Sequence, residues 1–206
     1  MAENKELLDI EDEVHPHWDA SPDYHFFWGG PCSQWAVSPF KEFGETFNTA
    51  EQFMMAAKAK TFGDEESFKA IMDTNDPHEQ KGLGRNVKNF DSDKWNSVAR
   101  EYVTLGNYNK FTQNPEFKKF LIVNIDKHFV EASPHDKIWG IGMRECAEGI
   151  DNPANWKGSN WLGQCINRAR DIIVAEMAEI DLSEDERTRS VVLYEIETLR
   201  DALDWR

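Results

Sequence analysis

Between Asn48 and Met177 one helix start signal follows another, and this punctuation constrains the fold more than any other feature of the sequence. Asn48 or Thr49 can cap a helix that begins near Ala50, runs free of Gly and Pro through Phe62, and stops at Gly63. Asp64 starts a second helix, to about Asp73. Pro77 sits in the first turn of a short third one, which Gly82-Leu83-Gly84 should stop. Asp91 caps a longer helix carrying Trp95, Val98, Tyr102, Leu105 and Tyr108. Pro115 opens the next, with Phe117, Phe120, Leu121 and Ile122. Ser159 can cap a helix through Trp161, Leu162, Ile166, Ile172, Ile173 and Met177. These signals predict a mainly α architecture.

The remaining segments add a small β element, giving an α+β fold. Phe26-Phe27-Trp28 reads as a strand closed by a turn at Gly29-Gly30-Pro31. Ser33 to Glu45 predicts a second short strand or hairpin. Lys127 to Glu131 and Lys137 to Trp139 read as extended, and Gly140 to Gly158 as a long loop. The chain divides into an acidic, poorly ordered leader over 1–24, a single domain over 25–180, and a C-terminal helical extension over 181–206. In that extension Val191, Leu193, Tyr194, Leu199 and Leu203 form one broad apolar stripe. It is expected to be dispensable for chemistry.

Composition excludes several function classes. Thirty-eight acidic against 23 basic residues give a net charge of −15, which repels duplex nucleic acid but leaves room for a small basic pocket and a nucleotide-sized ligand. Eight tryptophans are many for 206 residues, so several are expected to line a pocket. Cys32, Cys146 and Cys165 offer neither a disulfide framework nor a CxxC motif, and point to a reducing compartment. The acidic N-terminus lacks an apolar signal core and no stretch reaches the roughly 18 apolar residues of a membrane span. The expected location is therefore cytoplasmic, without membrane contact. His15, His17, His25, His78, His128 and His135 form no ligand pair such as HExxH, so neither a metal nor a cofactor is expected.

Four features can carry chemistry. Glu51 and Lys58 stand seven residues apart, about two helical turns or roughly 10 Å of rise on nearly one face. A carboxylate and an amine over a floor containing Met54 and Met55 can act as acid/base and nucleophile, although a solvated helix face is the commoner reason for such spacing. Trp139-Gly140-Ile141-Gly142 sets a large ring beside small residues, where backbone N–H groups can approach a ligand. Asn160-Trp161-Leu162-Gly163 opens a helix, whose N-terminus attracts phosphate. Arg85 is a second phosphate candidate.

In order and spacing, these pieces resemble the NADAR family, named for its association with NAD and ADP-ribose. The resemblance runs from about Phe26 to Ala178. It rests on the aromatic strand Phe26-Phe27-Trp28, on Ser33-Gln34-Trp35, on Thr49-Ala50-Glu51 through Lys58, on Gly84-Arg85, on Trp139 to Gly142, and on Asn160 to Gly163. Two positions depart from the family pattern. Gln34 replaces an Asn, and Ile141 stands where members acting on riboflavin intermediates carry Asp. Glu145, Glu148 and Asp151 in the insertion from Met143 to Lys157 are available to replace that Asp.

The resemblance implies an N-glycosidase. One branch of similar proteins acts on phosphorylated ribosylamino-pyrimidine intermediates of riboflavin synthesis; another removes ADP-ribose from the amino group of guanine. Ile141 favours the second, while the charge of −15 favours small substrates over polymeric DNA. In the implied mechanism Glu51 moves protons at the ring oxygen or leaving nitrogen, and Lys58 captures ribose C1 as an imine. Ser33, Gln34, Trp35, Arg85, Trp139, Gly140, Gly142, Asn160, Leu162 and Gly163 are the implied substrate-binding residues. The implied partner is an ADP-ribose-containing or phosphoribosyl molecule, an ADP-ribosylated nucleic acid included. A non-catalytic reader of ADP-ribose would keep the aromatic and phosphate contacts without needing Glu51 and Lys58 together. An interaction protein built on the acidic ends would need none of the central motifs. The sequence leaves the oligomeric state open.

Overall fold

The computed structural model describes residues 23–179, 191–203 and 205. Residues 1–22 of the leader over 1–24, and the side chains of Val191, Leu193 and Tyr194 in the apolar stripe, lie outside the described residues, and Tyr24, the leader's last residue, already belongs to the first strand. The architecture is α+β. Strands β1 (Tyr24–Phe27) and β4 (His128–Glu131) pair in parallel, with Phe27 opposite Glu131. Strands β2 (Phe40–Glu42) and β3 (Glu45–Phe47) form an antiparallel hairpin. Its tight turn uses Phe43 at φ 51° and Gly44 at φ 80°.

Helices form where the caps predict them. Thr49 Oγ1 accepts from Gln52 N–H (3.0 Å) at the start of α1 (Ala50–Thr61). Asp64, Asp76 and Asp91 cap α2 (Glu65–Asp73), α3 (Pro77–Arg85) and α4 (Ser92–Gln113) in the same way. Helices α5 (Pro115–Val123), α6 (Trp161–Glu179) and α7 (Val191–Ala202) follow. Helix α1 packs against α2, α3 and α4, and α4 against α6. Phe40, Phe47, Phe53, Tyr102, Phe111 and Phe129 fill the main core between these elements.

Four local expectations need correction. The first strand spans Tyr24–Phe27 and leaves Trp28 outside it, 61% exposed. Helix α3 does not stop at Gly82-Leu83-Gly84 but runs on to Arg85. A Cβ on Gly84 would lie 2.0 Å from Met55 Sδ, so this glycine serves close α1–α3 packing rather than helix termination. Lys137 to Trp139 is not a strand; Asp136 Oδ1 folds it into a turn by accepting from Ile138 and Trp139 N–H at 2.8 and 2.7 Å. Ser159 does not cap α6: Asn160, at φ 52°, precedes the helix and its carbonyl accepts from Gln164 N–H (3.0 Å). The C-terminal extension packs on the domain. Arg200 forms a double hydrogen bond with buried Glu42 (3.0 Å each), and Trp205 stacks on Phe43 and Phe53 at 4.8 and 5.6 Å. Phe53 lies two residues beyond Glu51, so removing the extension would open the core behind the start of α1.

Candidate functional site

A cavity of about 560 Å³ opens where the start of α1, helix α3, the end of β4 and the start of α6 meet. Such a volume suits a small-molecule ligand. Of the residues singled out from the sequence, Ser33, Gln34, Trp35, Glu51, Arg85, Trp139 and Leu162 line it. Lys58, Gly140, Gly142, Asn160 and Gly163 do not. The lining also includes Phe27, Trp28, Lys81, Glu131, Ser133, His135 and Asp136, none of which was assigned a site role from sequence. Lys81 had a legible signal: it precedes Arg85 by four residues, so both share a face once α3 continues through Gly84. Glu131 and Asp136 had none, because only the β1–β4 pairing and the turn after it bring them to the cavity.

Glu51 sits in the first turn of α1, only 4% exposed. Its N–H donates to Gln34 O at 2.9 Å, which ties the helix start to the Ser33–Trp35 loop. Burial pushes the Glu51 carboxyl above the ordinary range, while Lys81, a hydrogen bond from the Trp35 side chain, Lys58 and Arg85 pull it back. The loop itself is fixed by α4. Asn107 Nδ2 donates to Gln34 Oε1 (3.0 Å), and Lys110 Nζ donates to Ser33 O (2.7 Å). Lys110 is fully buried, and burial pushes its amine down to about 7. Trp35 is 41% exposed and carries the Lys81 ammonium 5.8 Å from its ring centre.

Lys58 lies beside this cavity rather than in its lining. Its ammonium donates to Gly84 O (3.2 Å) and stands over the rings of Phe90 (4.6 Å) and Trp95 (5.5 Å). Burial lowers its pKa; Glu51 opposes the shift and Arg85 adds to it. An amine with these neighbours has a larger uncharged fraction than a surface lysine.

Much of the Trp139–Gly163 region acts through its backbone. Ile141 N–H donates to Glu131 O (2.9 Å), and a Cβ on Gly140 would meet that same oxygen at 2.9 Å. Asn160 Oδ1 accepts from Glu131 N–H (3.0 Å) while its Nδ2 donates to Phe129 O (3.2 Å). Asn160 therefore laces α6 to β4. The N–H groups of Trp161 and Leu162 donate to Ile138 O and Trp139 O, so the first donors of α6 are already occupied. A Cβ on Gly163 would sit 2.1 Å from Phe129 O. Gly142 adopts φ 66° beside Lys157. Ile141 is fully buried in a satellite core with Val130, Ala132, Met143 and Ile150, so that side chain points away from ligand chemistry. Glu148 and Asp151 do not line the cavity; Glu145 lines a neighbouring depression with Trp28 and Arg144. No group of three or more His, Cys, Asp or Glu suited to a metal occurs among the described residues. Nor is any helix among them long and apolar enough to cross a membrane.

Comparison with known proteins places this geometry in context. A family model described as the NADAR domain matches residues 25–174. The chain is 44% identical over 145 residues to N-glycosidase R617 of Acanthamoeba polyphaga mimivirus, covering 68% of this chain and 85% of that protein. It is 26% identical over 167 residues to N-glycosidase YbiA of Escherichia coli (strain K12), covering 81% and 92%. The NMR structure of the E. coli protein YbiA superposes with a TM-score of 0.64 at 25% identity, covering 77% of this chain and 89% of that one.

Proposed function

The chain belongs to the NADAR domain family, and we propose that it is an N-glycosidase that releases ADP-ribose from an ADP-ribosylated guanine base. The observation that carries the proposal is Glu51: a carboxyl buried in the cavity wall, facing Lys81 and Arg85 and hydrogen-bonded by Trp35. Buried carboxyls with a specific set of charged neighbours inside a cleft are typical of acid–base catalysis. The names of its relatives R617 and YbiA favour the same reaction class.

In this reading Arg85 and Lys81 hold phosphate, and the exposed faces of Trp28 and Trp35 stack on the base. Glu51 moves protons during cleavage of the C1–N bond. Lys58, its pKa lowered by burial, captures C1 as an imine that water then hydrolyses. To do so its ammonium must leave Gly84 O, a single hydrogen bond on a flexible side chain.

Incubation with ADP-ribosylated guanosine, and separately with the phosphorylated ribosylamino-pyrimidine intermediates of riboflavin synthesis, tests the substrate by mass spectrometry. Free guanosine with ADP-ribose is the expected product. Cleavage of the pyrimidine intermediates alone would reassign the substrate, and binding without cleavage would make the protein a reader. Borohydride added during turnover should leave an adduct on the peptide containing Lys58. An adduct on Lys81 would move the nucleophile to α3. Lys60, engaged by Glu65 at 3.0 Å, should stay unlabelled.

A further inference from the structure

Glu131 is the last residue of β4 and shares the cavity with Glu51. Its backbone is held from three sides. Phe27 pairs with it across the sheet, Asn160 Oδ1 accepts its N–H, and Ile141 N–H donates to its carbonyl. The side chain is not held in the same way: Oε2 is buried and has no hydrogen-bond partner among the described residues. A buried polar atom left without a partner is destabilising, so it belongs either to strain or to a ligand. Here the backbone around it is hydrogen-bonded in place and the atom belongs to a residue of the cavity wall, which points to a ligand atom as its partner.

The charges facing the two carboxyls differ. Glu51 faces Lys81, Lys58 and Arg85 and receives a hydrogen bond from Trp35. Glu131 faces Asp136 and Glu51, against Lys81 alone. Burial raises both carboxyls, and the proton is held better by the one with anionic neighbours and no donor. That one is Glu131.

We propose that Glu131 is the proton donor of this site, handing its proton to the nitrogen that leaves ribose C1, with Glu51 as the base. The inference rests on the N-glycosidase reading above. Glu51 takes a proton from the Lys58 ammonium and the Lys58 nitrogen bonds to C1, while the electron pair of the C1–base bond leaves with the base nitrogen as the Glu131 O–H bond breaks, so Glu131 ends as a carboxylate. Water then adds at C1 as the C1–Lys58 bond breaks: the water oxygen and one hydrogen stay on C1, its other proton goes to Glu131, and Glu51 returns its proton to Lys58. The residues around β4 then have a common purpose: Asn160, Ile141 and Gly140 position this acid rather than touch substrate. Burial and Asp136 push the Glu131 carboxyl up to about 7, consistent with a group that still carries its proton near neutrality.

Glu131→Gln keeps the shape and removes the exchangeable acid. With the full-length protein and ADP-ribosylated guanosine, wild-type kcat/KM should fall as pH rises through about 7. The variant should lose that limb and about 10²–10⁴ of turnover, while binding the product ADP-ribose as the wild type does. Glu131→Asp, which keeps an acid one carbon short, should retain the limb and part of the rate. Melting temperature gives a readout independent of activity. A carboxyl whose folded pKa lies above its unfolded value stabilises the fold at low pH, and this contribution is lost as pH rises from about 4.5 to about 7. The wild type should therefore lose stability relative to Glu131→Gln across that window. An active wild type whose pH limb survives in Glu131→Gln, or a melting difference that is flat across the window, overturns the proton-donor role alone. A wild type that cleaves no N-glycoside overturns the glycosidase reading and this role with it.

Discussion

The two walls of the cavity are built on opposite plans. The α1–α3 wall presents side chains: Glu51, Lys81 and Arg85 come off regular helices into the cavity. The β4–α6 wall carries more motif residues, yet Gly140, Asn160 and Gly163 are used in backbone contacts, and of that wall's motif residues only Trp139 and Leu162 reach the lining, beside Glu131, Ser133, His135 and Asp136. The contrast teaches that a glycine- and asparagine-rich signature can mark a frame rather than a contact surface. It also separates the effects of mutation. Changes on the first wall should alter rate while leaving stability in place; changes to the frame should reach the rate through stability.

Glu51→Gln should give the largest effect on rate. Loss of a general acid–base group costs about 10²–10⁴ in turnover. Stability should not fall with it. Burial raises the folded pKa of Glu51, so its ionised form is penalised in the folded state at any pH above the unfolded value. The variant should melt at or above the wild-type temperature, with the gap widening as pH rises through the folded pKa. Near wild-type turnover together with an unchanged circular dichroism spectrum would take Glu51 out of the mechanism and collapse the distinction between the walls.

Gly163→Ala should do the reverse. Its Cβ would fall 2.1 Å from the Phe129 carbonyl, a backbone atom of β4 that cannot rotate away. Overpacking of this kind costs about 1–3 kcal/mol, measurable by denaturant titration. Gly84→Ala is the matched probe on the first wall. Its Cβ meets Met55 Sδ at 2.0 Å, but a thioether side chain can swing aside, so the cost should be smaller. Equal destabilisation by the two alanines would show that the frame is no stiffer than the helix pair.

This contrast also explains what was legible in the sequence. Caps at Thr49, Asp64 and Asp91 are local, and the helices they start were readable to within a residue or two. The position of Glu51 in the first turn of α1 was readable for the same reason. Helix α3 was cut short because Gly84 answers to Met55, a partner 29 positions away along the chain. Glu131 was missed because nothing near it in sequence marks it. Its place depends on β1, about a hundred residues earlier, and on an asparagine at the start of α6 whose side chain reads locally as a cap. Trp205 was missed too: an apolar stripe predicts that a helix packs, not which core its last aromatic enters.

Trp35→Phe should give the smallest change and the most informative one about the first wall. Phenylalanine keeps an aromatic face beside Lys81 and removes only the indole N–H that bonds Glu51. Trp35 is 41% exposed and its backbone is held by Ser33 Oγ at 3.2 Å, so the loop should survive. The hydrogen bond favours ionised Glu51; without it the Glu51 pKa rises further. If Glu51 works as the base, it must be ionised, and the acid limb of kcat/KM should move to higher pH. Above that limb the rate should return close to the wild-type value, since the base is intact and fully ionised there. If Glu51 instead worked as the acid, the same substitution would extend activity to higher pH rather than cut it at low pH. The direction in which the profile moves thus assigns the proton to one wall or the other. A profile that does not move would mean that the Trp35 bond does not tune the carboxyl at all.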